Sequence, residues 1–109
     1  MHSIDKVSKI TVEVREWFQK SYGNTYHKLS VKVEYFGLPA VVLHTKEMIY
    51  GGQGHWAHTV GSILLNNGLV PRDPSKTLER QSYGVLRQLE EDGIQVSVDV
   101  QEVKRKKDL

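Results

Sequence analysis

A chain of 109 residues, 39% of them hydrophobic, supports one domain with one core and excludes two independent ones. The absence of cysteine removes disulfides, thiolate catalysis and cysteine-ligated zinc or iron–sulfur sites together. The net charge of +2 is small and gathered in Lys104-Arg105-Lys106-Lys107, which argues against the broad basic stripe of a duplex-binding domain.

From Lys9 to Trp17, Ile10, Val12 and Val14 alternate with Thr11, Glu13 and Arg15, the period of a strand with one buried face. Ser21-Tyr22-Gly23-Asn24-Thr25 supplies a turn, and Leu29, Val31, Val33 and Tyr35 alternate with Lys28, Ser30, Lys32 and Glu34 in a second strand. The two read as an antiparallel hairpin. Phe36-Gly37-Leu38-Pro39 breaks the pattern, and the stretch from Ala40 to Tyr50 reads as a third strand, bent near His44 to Glu47. Trp56, Val60, Ile63 and Leu64 then recur as the stripe of an amphipathic helix that stops at Asn67-Gly68. Asp73-Pro74 is the expected start of a second helix, with Leu78, Val85, Leu86 and Leu89 on its buried face and Gly93 at its end. Within it Gly84 breaks the run of helix formers, and close packing of a neighbouring backbone is the ordinary explanation. Ile94, Val96, Val98 and Val100 alternate in a last strand that runs into the basic tail.

This order, β-β-β-α-α-β, predicts an α+β fold: an antiparallel sheet of about four strands with two helices on one face. Residues 1–109 form one domain whose ends, 1–8 and 103–109, read as flexible. A sheet edge at the first or the last strand offers a route to a homodimer. No apolar run reaches the ~18 residues of a membrane span, and Met1-His2-Ser3-Ile4-Asp5-Lys6 lacks the pattern of a signal peptide, so a soluble, cytoplasmic protein is expected.

The segment Tyr50-Gly51-Gly52-Gln53-Gly54-His55-Trp56 stands out between strand and helix. Glycines there permit close backbone approach, and the following helix would present amide N–H groups to an anion. Tyr22, Tyr26, Tyr50 and Trp56 lie in or beside turns, where flat rings suit a nucleobase, and Arg72 on a loop suits a phosphate. The candidate ligand site is therefore Tyr22, Tyr26, Tyr50, Gly51, Gly52, Gln53, Gly54, His55, Trp56 and Arg72. His55 and His58 share a helical face, with His27 or His44 as a third imidazole, but no carboxylate joins them at a recognisable spacing and they read as a polar face rather than a metal site. Ser62, Thr59 and Glu47 lack any nucleophile motif, so binding without catalysis, and without a cofactor, is the expectation.

Glu16-Trp17-Phe18, Gly23-Asn24-Thr25-Tyr26-His27 with the alternating Leu29-Ser30-Val31-Lys32-Val33, and Tyr50-Gly51-Gly52 together resemble a group of small, mostly uncharacterised phage-encoded proteins. These share a strand ending in Glu-Trp, a Gly-Asn-Thr/Ser-Tyr hairpin and a later Tyr-Gly-rich turn before a helix. The resemblance covers roughly the first 70 residues and implies a counter-defence context in a host cell. One implied function is sequestration of a nucleotide-like host signalling molecule. Another is inhibition of a host defence complex, in the manner of an anti-CRISPR protein, through the polar sheet face and the acidic Glu90, Glu91 and Asp92. A third is weak single-stranded nucleic-acid binding through the tail and the aromatics.

Overall fold

Strict alternation in β1 (Val7–Gln19) and β2 (Asn24–Tyr35) puts Ile10, Val12, Val14, Leu29, Val31 and Val33 on one side of a long antiparallel hairpin, and all six are buried. The computed structural model describes residues 7–52 and 54–109. β3 (Leu38–His44) and the two-residue β4 (Ile49–Tyr50) both pair antiparallel with β2, and α1 (Trp56–Asn66), α2 (Leu78–Glu91) and β5 (Gln95–Val103) follow. The sheet order is β3-β2-β1-β5, with β4 beyond β3 along β2.

Two helices on one face of a sheet is the α+β arrangement that the element order predicts, but the sheet is mixed rather than antiparallel. β5 lies parallel to β1, Lys9 beside Gln95 through Trp17 beside Val103. The pair α1–α2 carries the chain back across the sheet, so the last strand re-enters in the direction of the first. β1 is consequently interior, and the free edges are β3 and β5.

The bent third strand resolves into two pieces because Thr45 turns inward at their junction. Its N–H donates to the Leu29 carbonyl at 3.0 Å, and its hydroxyl accepts from the Leu29 N–H at 3.1 Å. The start of α2 also differs from expectation. Asp73 holds the N–H and hydroxyl of Ser75 in a local turn, while Thr77 caps the helix by accepting from the Arg80 N–H. The helix ends fall where Gly68 (φ 68°) and Gly93 (φ 87°) place them.

Val60, Leu64, Val85 and Leu89 pack on the valine stripe of the hairpin, each such side chain contributing about 1.5–3 kcal/mol on burial. The helices meet at Gly61, where a Cβ would collide with the Ser82 carbonyl. Around Gly84 there is open space, so close packing is not what that glycine serves. The helix layer stops short of the sheet edge: Val98 and Val100, on the helix side of β5, are 41% and 39% exposed.

The two ends expected to be flexible, 1–8 and 103–109, contribute to regular elements. Val7 and Ser8 belong to β1, Val103 belongs to β5, and Lys106–Asp108 forms a 3₁₀ turn; residues 1–6 lie outside the described residues. Among the described residues no helix is long and apolar enough to cross a membrane.

Candidate functional site on the open sheet face

Because β1 and β2 bury one set of alternate residues under the helices, the other set faces away from them. On β2 the boundary is visible between neighbours. His27 is fully buried and shares a 2.8 Å hydrogen bond with Thr59 of α1, so Tyr26 points to the open side. Trp17 and Tyr50 stand directly beside Tyr26 in register, on β1 and β4, and therefore share its face. The three rings form a continuous row. Trp17 and Tyr26 are stacked with centroids 5.7 Å apart and planes at 25°, and Tyr50 meets Tyr26 edge-on at 5.7 Å. Trp17 and Tyr26 are half-buried, whereas Tyr50 is 65% exposed and leaves a ring free to be covered.

One step down both strands, on the same face, Arg15 lies directly opposite Lys28. Like charges at opposed positions repel, so the pair favours an anion nearby. Lys28 also lines a depression of about 400 Å³ with Lys46 and Lys106, and one acid, Glu47, shares its walls. The basic tail closes on this region, where Arg15 Nη1 donates to the Asp108 carbonyl at 3.3 Å. The next row carries acids, Glu13 beside Asp99, and Glu13, Arg15, Lys28 and Asp99 share the walls of a second depression of about 330 Å³. Further along the same face of β2, Lys32 is paired with Glu34 at 3.5 Å, whereas Arg15 and Lys28 face each other.

The structure brings together only part of the candidate site. Tyr26 and Tyr50 meet. Tyr22 is at the tip of the β1–β2 turn, 76% exposed. Gly51 is buried on the helix side, where its N–H donates to the Thr25 carbonyl at 3.1 Å and its Cα packs against the His55 ring. The N–H of His55 donates to the Gly52 carbonyl and that of Ala57 to the Gly54 carbonyl, so the turn closes on its own amides, with Gly54 at φ 85°. Trp56 is half-buried against the core. Gln53 lies outside the described residues. Arg72 lies beyond the other end of α1, about 16 Å of helix away. It is held there by the Asp73 carbonyl and Gln81 Oε1, each at 2.7 Å.

Trp17 is the member that composition and turn logic passed over. Its signal was present: it falls on the polar phase of β1, out of step with Ile10, Val12 and Val14, where an aromatic has no core to fill.

On the helix side, His27, His55, His58 and Tyr83 form a second cluster. His55 lies 6.0 Å from His27 and 5.0 Å from His58, and His58 lies 4.6 Å from Tyr83, all between ring centroids. Burial, and secondarily the proximity of His55, hold the His27 imidazole down at about 4 from its ordinary 6.5, so it is neutral near pH 7. Among the described residues no three His, Asp or Glu side chains gather as a metal-ligand set. Comparison of the chain with protein-family models, with curated proteins and with solved structures gave no match, so function rests on the geometry of these two faces.

Proposed function

We propose that this protein binds a nucleotide-like ligand without turning it over, holding the base on the open sheet face and the phosphate beside it. The observation that carries this reading is the adjacency of the ring row Trp17–Tyr26–Tyr50 to the opposed cations Arg15 and Lys28. A base stacks on an aromatic platform with about 1–3 kcal/mol per base, whatever its identity. An anion next to it relieves the repulsion of Arg15 and Lys28 and reaches Lys46 and Lys106. The glycine turn contributes less, because the Gly51, His55 and Ala57 amides already have carbonyl partners. The resemblance to small phage-encoded proteins adds a setting, sequestration of a host signalling nucleotide in the host cytoplasm by stoichiometric capture.

Isothermal titration with mononucleotides, linear and cyclic dinucleotides and a short single-stranded oligonucleotide tests the reading. Saturable binding of a mono- or dinucleotide is expected, weakened about tenfold by Tyr50→Ala, which removes one stacking surface at an exposed position. Lys28→Gln is expected to weaken it as well. Affinity that keeps rising with oligonucleotide length would move the assignment to single-stranded nucleic acid. Absence of binding across the panel, or binding indifferent to both substitutions, would overturn it.

A further inference from the structure

The opposite face of the sheet carries a separate feature at the same end of the strands. Glu16 of β1 has Glu102 of β5 as its register partner, with both side chains on the helix side. The helices do not reach this corner, and a cleft of about 700 Å³ opens there, lined by Glu16, Phe18, Thr25 and Glu102, with Lys20 and Lys104 also on its walls. Glu16 is only 7% exposed, and its Oε2 has no hydrogen-bond partner among the described residues. A buried carboxylate oxygen without a partner is a costly arrangement, and a second carboxylate alongside adds repulsion to it. Among the described residues, no ion pair joins Lys20 or Lys104 to either acid.

We infer that this corner is a binding site for an organic cation, an amidinium, guanidinium or primary ammonium carried on an apolar body. The two carboxylates supply acceptors for a donor-rich cationic head, and guanidinium-like groups engage carboxylates through paired N–H bonds. Phe18, 54% exposed and on the same face, supplies the surface for the apolar body and a ring face for the cation. An inorganic metal ion suits the corner less well, because no third His, Asp or Glu completes a ligand set among the described residues. His27, the β2 register partner of Glu16, is neutral near pH 7 and does not supply the missing positive charge. The site lies on the other side of the sheet from the ring row and stands or falls independently of the nucleotide reading.

The test is a ¹H–¹⁵N titration of the full chain with benzamidine and with agmatine, using neutral benzamide as the isosteric control. Saturable shifts are expected at Glu16, Phe18, Thr25 and Glu102 with the two cations and not with benzamide. Glu102→Gln, at an exposed position, is expected to weaken binding about tenfold without disturbing the fold. Glu16→Gln is expected to weaken it further. Shifts of equal size with benzamide, shifts that survive Glu102→Gln unchanged, or no saturable shift at millimolar probe would overturn the assignment.

Discussion

His27 shows how one residue couples the two layers and how its environment reaches the whole fold. It sits at 0% exposure, bonded through Nε2 to Thr59, with Nδ1 unpartnered among the described residues. The unfolded chain takes up the His27 proton below about 6.5, whereas the native chain does so only near 4. Stability is therefore full above 6.5 and falls as the pH drops through the window between the two values, by up to about 3 kcal/mol. Urea melts at neutral pH and near pH 4 should show this loss, and His27→Gln should flatten it; an equal loss in the variant would assign the effect elsewhere. Thr59→Val should lower stability by about 1–3 kcal/mol, because it strands the imidazole nitrogen. At this scale the sequence was partly legible. Tyr26 and Tyr50 were identifiable from their place beside turns, and Trp17 from its phase on β1. The burial of His27 was not, because a polar residue in the apolar phase of a strand can end on either side of the core boundary.

The elements were legible where periodicity alone decides them and obscure where partners do. Alternation located β1, β2 and β5, and the 3.6-residue stripe located α1 and α2, but alternation is the same for parallel and antiparallel neighbours. The direction of β5 is set by the helix pair that precedes it. The start of α2 was misplaced because Asp73-Pro74 carries the composition of a cap, while its carboxylate is spent on Ser75 and Thr77 does the capping. Two glycines give opposite predictions. Gly61→Ala should destabilise by about 1–3 kcal/mol through collision with the Ser82 backbone. Gly84→Ala should stabilise by about 0.5–1 kcal/mol, since open space surrounds it and the helix gains a better former. Thermal melts of the two variants check both signs, and a stabilised Gly61→Ala would contradict the close crossing of α1 and α2.

For the whole molecule, the division into two chemically different faces is what neither composition nor any local motif conveys. The residues around Tyr50-Gly51-Gly52 look like one cluster in the sequence, yet Tyr50 faces away from the helices while Gly51 lies against the His55 ring on the helix side. The basic tail, read as a free end, instead brings Lys106 and the Asp108 carbonyl to Arg15 and Lys28. A modest net charge thus conceals a local concentration of cations beside the ring row. Ligand affinity should consequently fall as salt is raised, and an Arg15→Gln, Lys28→Gln double variant should bind more weakly with a flatter salt dependence. A slope unchanged in that variant would place the phosphate elsewhere.

The chain has two tryptophans, one on each side of the sheet, and their indole N–H resonances report on the two faces separately. Adding a nucleotide ligand to ¹⁵N-labelled protein should move the Trp17 indole signal in a saturable manner and leave that of Trp56 in place. Movement of Trp56 with Trp17 unchanged would put the ligand at the glycine turn on the helix side and contradict the assignment to the open face.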